Sequence, residues 1–257
     1  LNFVDRIFDA PTLYSGLENL MAVYGYALQI YCDFSGYSDM AIGIALFLGF
    51  RFNKNFDVPY TSTNITEFWR RWHISLSTWF RDYLYFPLGG NRVAPRRHII
   101  NLLIVWMLTG LWHGASWNFV VWGLYYGIFL ILEKYFFAER IEKLPSILQH
   151  LITIFIVSIA WVFFFSDNLT EAIHYLGDMF MLSKLPFANM HFLYLLKSNL
   201  VLMIIAIVLS HPKPYKMYTL ISKSSTAFSI ASLLIIFIIS VSYLVFSTYN
   251  PFLYFRF

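Results

Sequence analysis

The chain has 257 residues, 59% of them hydrophobic and 12% charged, against roughly 45–50% and about 25% in soluble domains. That balance excludes an intrinsically disordered chain and leaves too few charges to coat a soluble globule of this length, so the composition is that of a membrane protein. A formal charge of +4 would suit nucleic acid, but Lys and Arg fall in short clusters between apolar runs rather than along one basic face, and the single cysteine excludes an internal disulfide framework and a cysteine-built metal site.

The chain begins at Leu1, and its first fifteen residues lack a basic start followed by an apolar core, so neither an initiator Met nor a signal peptide is read there. Leu17 to Phe50 is apolar but carries Asp33 and Asp39, which need a protein or water environment because charges facing lipid are costly. Pairing with Arg51, Lys54 or Arg81 is expected for them. From Thr63 to Gly90 the pattern changes: Trp, Phe and Tyr alternate with Arg70, Arg71, His73, Arg81 and Asp82, too polar for a plain span and too aromatic for a free loop. Thr63, Asn64 or Thr66 would cap a helix there, and Pro87 with Gly89 and Gly90 would end the segment. On a continuous helix Trp69, Trp72 and His73 share a face, which predicts an amphipathic helix at the interface or a broken helix entering the interior.

Ile99 to Leu132 contains no Asp, Glu, Lys or Arg, too long for one span of about 20 residues and suited to two helices meeting near Gly110–Gly114. Further spans are read at Pro145 to Phe165, Phe192 to Leu209 and Thr226 to Phe246. Arg92, Arg96 and Arg97 precede the uncharged pair, Lys134, Arg140 and Lys143 follow it, and Lys213, Lys216 and Lys223 separate the last two spans. Asp167 to Asn189 has only Lys184. With the pair as a hairpin, all three basic loops fall on one side, which the positive-inside rule makes cytoplasmic. No repeat or low-complexity tract interrupts this order.

Two constellations carry the chemistry. In the first, Arg70, Arg71 and His73 either snorkel to lipid phosphates from an interfacial helix or point inward and hold an anionic donor. In the second, His113 sits within the longest uncharged stretch, between Gly110 and Gly114 and between Trp112 and Trp117. An ionisable group inside a membrane is a functional-site candidate, the glycines allow close backbone approach, and the tryptophans exclude water from a ring kept neutral and able to accept a proton. A packing histidine hydrogen-bonded between helices is the competing reading. No third ligand stands at metal spacing beside His73 or His113. A proton relay of Asp33, Asp39 and His113 in a transporter is a rival, but it predicts pseudo-repeated halves. Ser116 has no carboxylate partner that would make it a triad nucleophile.

The runs YCDFSGYSDMAIGIALFLGF (31–50), FWRRWHISLSTWFRDYLYFPLGGNR (68–92), TGLWHGASWNFVVWGLYYG (109–127) and NPFLYFRF (250–257) together resemble the membrane-bound O-acyltransferase family, over about residues 26–257. The resemblance implies an all-α polytopic transmembrane fold with re-entrant or interfacial helices, enclosing a tunnel where a cytosolic thioester donor meets an acceptor hydroxyl from the other side. It implies residues 1–257 as a single membrane-embedded acyltransferase domain, the C-terminal portion of a longer family fold. His113 of the WHG motif then falls at the catalytic position and His73 of the RWH motif at the second active-site position. Acyl transfer needs a base for the alcohol proton and a donor for the oxyanion. His113 is expected as the base, and His73, with Asn118 or a backbone N–H, as the group that orients the acyl group or stabilises the oxyanion. Arg70 and Arg71 are expected on donor phosphates, with Trp72 and Trp112 also against substrate. No tightly bound cofactor or metal is expected. The donor would be acetyl-CoA or an acyl-carrier thioester, the final acceptor an exported, alginate-like polysaccharide, and the partner an extracytoplasmic acetyltransferase, all at the inner (plasma) membrane. D-alanyl transfer to teichoic acid is the alternative within the same family.

Overall fold

A computed structural model describes residues 2–182 and 186–246, so Lys184 and the NPFLYFRF tail lie outside the described residues. Every regular element among the described residues is helical. In chain order these are α1 (Asn2–Asp9), α2 (Gly16–Phe47), α3 (Ile65–Arg71), α4 (Ile74–Phe80), α5 (Pro95–His113), α6 (Trp117–Leu132), α7 (Ala138–Glu142), α8 (Ser146–Phe165), α9 (Leu169–Met179), α10 (Met190–Leu209), α11 (Pro212–Ser224) and α12 (Thr226–Phe246).

Four helical stretches among the described residues are long and apolar enough to cross a membrane: 117–142, 146–165, 190–209 and 226–245. The last three coincide with the spans read from the sequence to within two or three residues. The chain is therefore an all-α polytopic membrane protein. The apolar run with Asp33 and Asp39 forms one helix, α2, of 32 residues. At 1.5 Å per residue it is about 48 Å long, well over a hydrocarbon core of about 30 Å. Its start is fixed by a capping box: the Ser15 N–H and hydroxyl both donate to Glu18 Oε2, at 2.6 and 2.7 Å.

The uncharged stretch folds as the expected hairpin. α5 and α6 are joined by residues 114–116, and His113 is the last residue of α5. The two helices lie backbone to backbone because glycines face the contact. A Cβ on Gly110 would stand 2.3 Å from the Phe119 carbonyl oxygen, and one on Gly123 2.2 Å from that of Trp106. No other residue fits either position without separating the helices.

Hydrogen bonds at the helix ends give the relative direction of the spans. Asn118 at the start of α6 donates to the carbonyls of Phe163 and Ser166 at the end of α8. Asn189 and His191 at the start of α10 bond Glu18 at the start of α2. At the opposite end, Glu133 after α6 accepts from the Ile65 and Thr66 N–H groups at the start of α3, and His150 near the start of α8 donates to the Ser62 carbonyl. All three basic clusters, at 92–97, 134–143 and 213–223, therefore lie at this second end, as the hairpin reading requires.

The segment from Thr63 to Gly90 departs from the single amphipathic helix. Asn64 caps α3, its Oδ1 accepting from Glu67 N–H at 2.7 Å. The helix stops after Arg71 and restarts at Ile74, because His73 adopts a left-handed backbone, φ 44° and ψ 55°. Trp69, Trp72 and His73 are consequently brought together across a break rather than along one helical face. The segment rises from the basic end, breaks inside the bundle, and continues through α4 and a π turn at Arg81–Tyr85. It ends where expected, with Gly89 and Gly90 at φ 101° and 55°. His98, between the Tyr85 and Tyr135 hydroxyls at 2.8 Å each, and Asn101, donating to the Leu88 carbonyl at 2.9 Å, tie it to α5.

Lys54 and Arg81 do not reach α2's carboxylates. They pair with Asp57 and Asp82, at 2.8 Å each. Partners one to three residues away require less chain to be ordered than partners on another helix. Asp39 is exposed and Asp33 faces the cavity described next.

Candidate active site

The break at His73 and the end of α5 meet at one small cavity of about 180 Å³. His73 and His113 both line it. The rest of its wall is Ile30, Asp33 and Phe34 from α2, Trp69 and Trp72 from the broken segment, Trp112, Trp122 from α6, and Trp161 and Phe164 from α8. Trp112 bridges the histidines, its ring centroid 6.3 Å from His73 and 4.9 Å from His113. Trp122 and Phe164 stand edge-on to His113, at 4.9 and 5.1 Å.

The hydrogen bonds of His73 define its tautomer. Asn55 Oδ1 accepts from the Ser75 backbone N–H at 3.1 Å, so that atom is the amide oxygen, and its amide nitrogen bonds the Ser38 hydroxyl. The same Oδ1 lies 3.2 Å from His73 Nδ1. An oxygen acceptor there places the proton of the neutral ring on Nδ1, which leaves a lone pair on Nε2. His73 Nε2 is buried without a protein partner. Two further polar atoms of the same wall share that condition: the indole Nε1 groups of Trp69 and Trp122. Buried donors without acceptors are costly in a folded chain. Their residues line a cavity that also holds two imidazoles.

The residues singled out from the sequence divide into two groups. His73, His113, Trp72 and Trp112 come together in the cavity wall. Arg70, Arg71 and Asn118 lie outside it. Arg70 lines a neighbouring cavity of about 440 Å³ with Arg81, and Trp69 belongs to the walls of both. Arg71 is engaged locally, its guanidinium 2.5 Å from Glu67 and 3.0 Å from the Thr61 hydroxyl. Asn118 spends its amide donors on the two α8 carbonyls, at 3.1 and 2.7 Å, and so fixes the α6–α8 contact. Ser116 is the residue before α6. Trp69, Trp122 and Trp161 line the cavity without having been singled out for it from the sequence, Asn55 holds His73 from beside it, and Asp33, expected to pair with a basic residue, lines it instead. Among the described residues no three His, Cys, Asp or Glu side chains gather in a metal-binding group.

The chain belongs to the membrane-bound O-acyltransferase (MBOAT) family, whose profile matches residues 9–168 and so takes in both histidines. Among similar proteins, "Probable alginate O-acetylase AlgI" of Azotobacter vinelandii is 44% identical over 193 residues, covering 69% of this chain and 38% of that protein. The protein of the same name from Pseudomonas putida is 34% identical over 286 positions, covering 99% and 59%. The "Peptidoglycan O-acetyltransferase" of Helicobacter pylori is 46% identical over 181 residues, covering 69% and 34%. The chain thus spans between about a third and three-fifths of the length of these relatives.

Proposed function

We propose that the protein transfers acyl groups, acetyl foremost, from a thioester to a hydroxyl at the His73–His113 cavity. The single observation that carries this is the meeting of the two histidines in one aromatic cavity inside the membrane bundle of an O-acyltransferase family member. His113 takes the proton of the acceptor hydroxyl as its oxygen attacks the thioester carbonyl carbon. A tetrahedral oxyanion forms, the carbon–sulfur bond breaks, and the proton passes to the leaving thiolate. His73, its ring held by Asn55, positions the acyl group beside the hydroxyl that His113 deprotonates. The oxyanion needs donors, and the buried indole N–H groups of Trp69 and Trp122 supply them. Trp72 and Trp112 close the cavity against water.

The donor is a cytosolic thioester, acetyl-CoA or an acyl-carrier protein. Its phosphates sit in the second cavity by Arg70, and that cavity shares Trp69 with the histidine site; Arg71, paired with Glu67, and Arg81, paired with Asp82, are engaged locally. The acceptor hydroxyl serves an exported polysaccharide through an extracytoplasmic transferase partner, and the protein works in the inner (plasma) membrane as a single membrane-embedded domain. Similarity to proteins named for alginate and peptidoglycan acetylation supports this choice over other hydroxyls.

The experiment is a complementation in cells lacking the gene. Full-length protein carrying His113→Ala, expressed to wild-type level, is expected to leave the envelope polysaccharide without O-acetyl ester. Acetylation at the wild-type level would refute the assignment, and loss of ester-linked D-alanine in its place would move the acyl group to that class.

A further inference from the structure

A third cavity, an apolar trough of about 870 Å³, lies between α2, α8 and α10. It borders the histidine cavity, because α2 and α8 serve both. On α2, Ala27 lines the trough and Ile30 the histidine cavity; on α8, Ser158 lines the trough and Trp161 the histidine cavity. Three residues along a helix are a rise of about 4.5 Å, so the partition between the two spaces is a single layer of side chains.

That layer is aromatic and held in place. Tyr60, from the trough wall, donates its hydroxyl to the Ala27 carbonyl at 2.6 Å and accepts the indole N–H of Trp161. Trp72 closes the layer, its ring centroid 5.0 Å from Trp161 and 6.1 Å from Tyr60. All three side chains are buried. The volumes on either side differ in what they admit. A cavity of about 150 Å³ takes a benzene molecule, six heavy atoms. The histidine cavity, at about 180 Å³, therefore holds the methyl, carbonyl carbon, oxygen and sulfur of an acetyl thioester with the hydroxyl oxygen and carbon of the acceptor. Those are also six atoms, and no space is left for further methylenes. By the same measure the trough has room for about thirty.

We infer that Trp161, held by Tyr60, restricts the transferred acyl group to acetyl by closing the histidine cavity against the trough. The inference rests on acyl transfer at the His73–His113 cavity. The donor approaches on the Trp69 side, where the second cavity lies. Trp122 stands between that side and Trp161, its ring centroid 5.7 Å from Trp69 and 6.5 Å from Trp161, so an acyl chain growing away from the donor meets the Trp161 indole. The indole has no room to yield, because Trp72, Trp122 and Phe164 pack against it and Tyr60 takes its N–H.

The test supplies purified full-length protein with acetyl-CoA or octanoyl-CoA and a hydroxyl acceptor, and measures each ester by mass spectrometry. Acetyl transfer by the wild type checks the reading on which the inference rests; the ratio of octanoyl to acetyl product checks Trp161. Trp161→Ala is expected to raise that ratio about 100-fold, within the range by which a pocket wall discriminates apolar groups. Tyr60→Phe, which releases the indole with little change of volume, is expected to raise it about tenfold. Ser158→Leu added to Trp161→Ala refills the gap from the trough and is expected to restore the acetyl preference. A wild type that forms no acetyl ester would remove the acyl-transfer reading and this inference with it. With acetyl transfer present, a wild type that uses both donors equally would overturn the inference alone. So would a folded Trp161→Ala protein with the wild-type ratio or with no transfer of either group. Where Trp161→Ala does not fold, an unchanged ratio in Tyr60→Phe would overturn it.

Discussion

Replacing Gly123 with alanine should damage stability and activity together. The new Cβ would stand 2.2 Å from the Trp106 carbonyl oxygen and 3.1 Å from the Gly110 amide nitrogen, both backbone atoms of α5. Ordinary contact requires roughly 3.5 Å, so α5 and α6 must separate by about 1 Å along their whole contact. Neither obstacle can swing aside as a side chain could, which puts the cost toward the upper part of the roughly 1–3 kcal/mol typical of overpacking. The same displacement moves His113, on α5, away from Trp122, the neighbour of Gly123 on α6, whose ring now lies 4.9 Å from the imidazole. A shift of about 1 Å in a reacting geometry costs on the order of 100-fold in rate. Thermal unfolding of detergent-purified protein and acceptor-dependent acyl transfer read the two effects. Gly43→Ala is the control, because a Cβ there meets nothing within 4 Å, and it should raise stability by about 0.4–1 kcal/mol through the unfolded chain. If Gly123→Ala matched the wild type in melting temperature and rate, the packing argument and the placement of His113 would both fail.

Asn55→Leu removes the acceptor that holds the proton of His73 on Nδ1. It should lower kcat by about 10–100-fold with KM for the donor nearly unchanged, since it alters a proton's position rather than a binding surface; a donor KM effect without a kcat effect would contradict the tautomer argument. Trp122→Phe keeps an aromatic ring but deletes the orphan N–H and part of the indole's buried volume, so the protein should fold with some loss of stability while kcat falls by about 10²–10³-fold. An unchanged rate in a folded Trp122→Phe protein would remove that indole from oxyanion stabilisation. Glu133→Ala strips the N-terminus of α3 of its carboxylate acceptor and should cost about 1 kcal/mol in unfolding free energy, checked by denaturant titration.

The helices were legible from the chain alone because membrane spans are written in local composition. An uncharged stretch too long for one span, with glycines near its middle, gives a hairpin, and the structure turns it immediately after His113. The RWH segment was legible in its ends and not in its middle. Asn64 and the Gly89–Gly90 pair carry ordinary capping and turn chemistry, whereas the left-handed His73 is imposed by tertiary bonds, including Ile74 N–H to the Asn55 carbonyl at 2.9 Å. The least legible partners are distant. Asn118 meets carbonyls 45 and 48 residues later, and His73 meets an asparagine 18 residues earlier. No periodicity relates such positions, so a polar residue inside a motif can read as a substrate contact and turn out to join two helices. Arg71 shows the same limit: its Glu67 partner stands four residues before it, and an ion pair at that spacing competes with any outside ligand. The indoles of Trp69 and Trp122 sat within the recognised motifs, but only their missing partners mark them as donors.

The most direct measurement is thiol release from acetyl-CoA by purified full-length protein, with and without a hydroxyl acceptor, for the wild type, His113→Gln and His73→Gln at matched folding. Acceptor-dependent release should fall by about 10²–10⁴-fold in His113→Gln, the span of a lost general base, and by a smaller factor in His73→Gln. A His113→Gln protein that releases thiol at the wild-type rate would contradict the account.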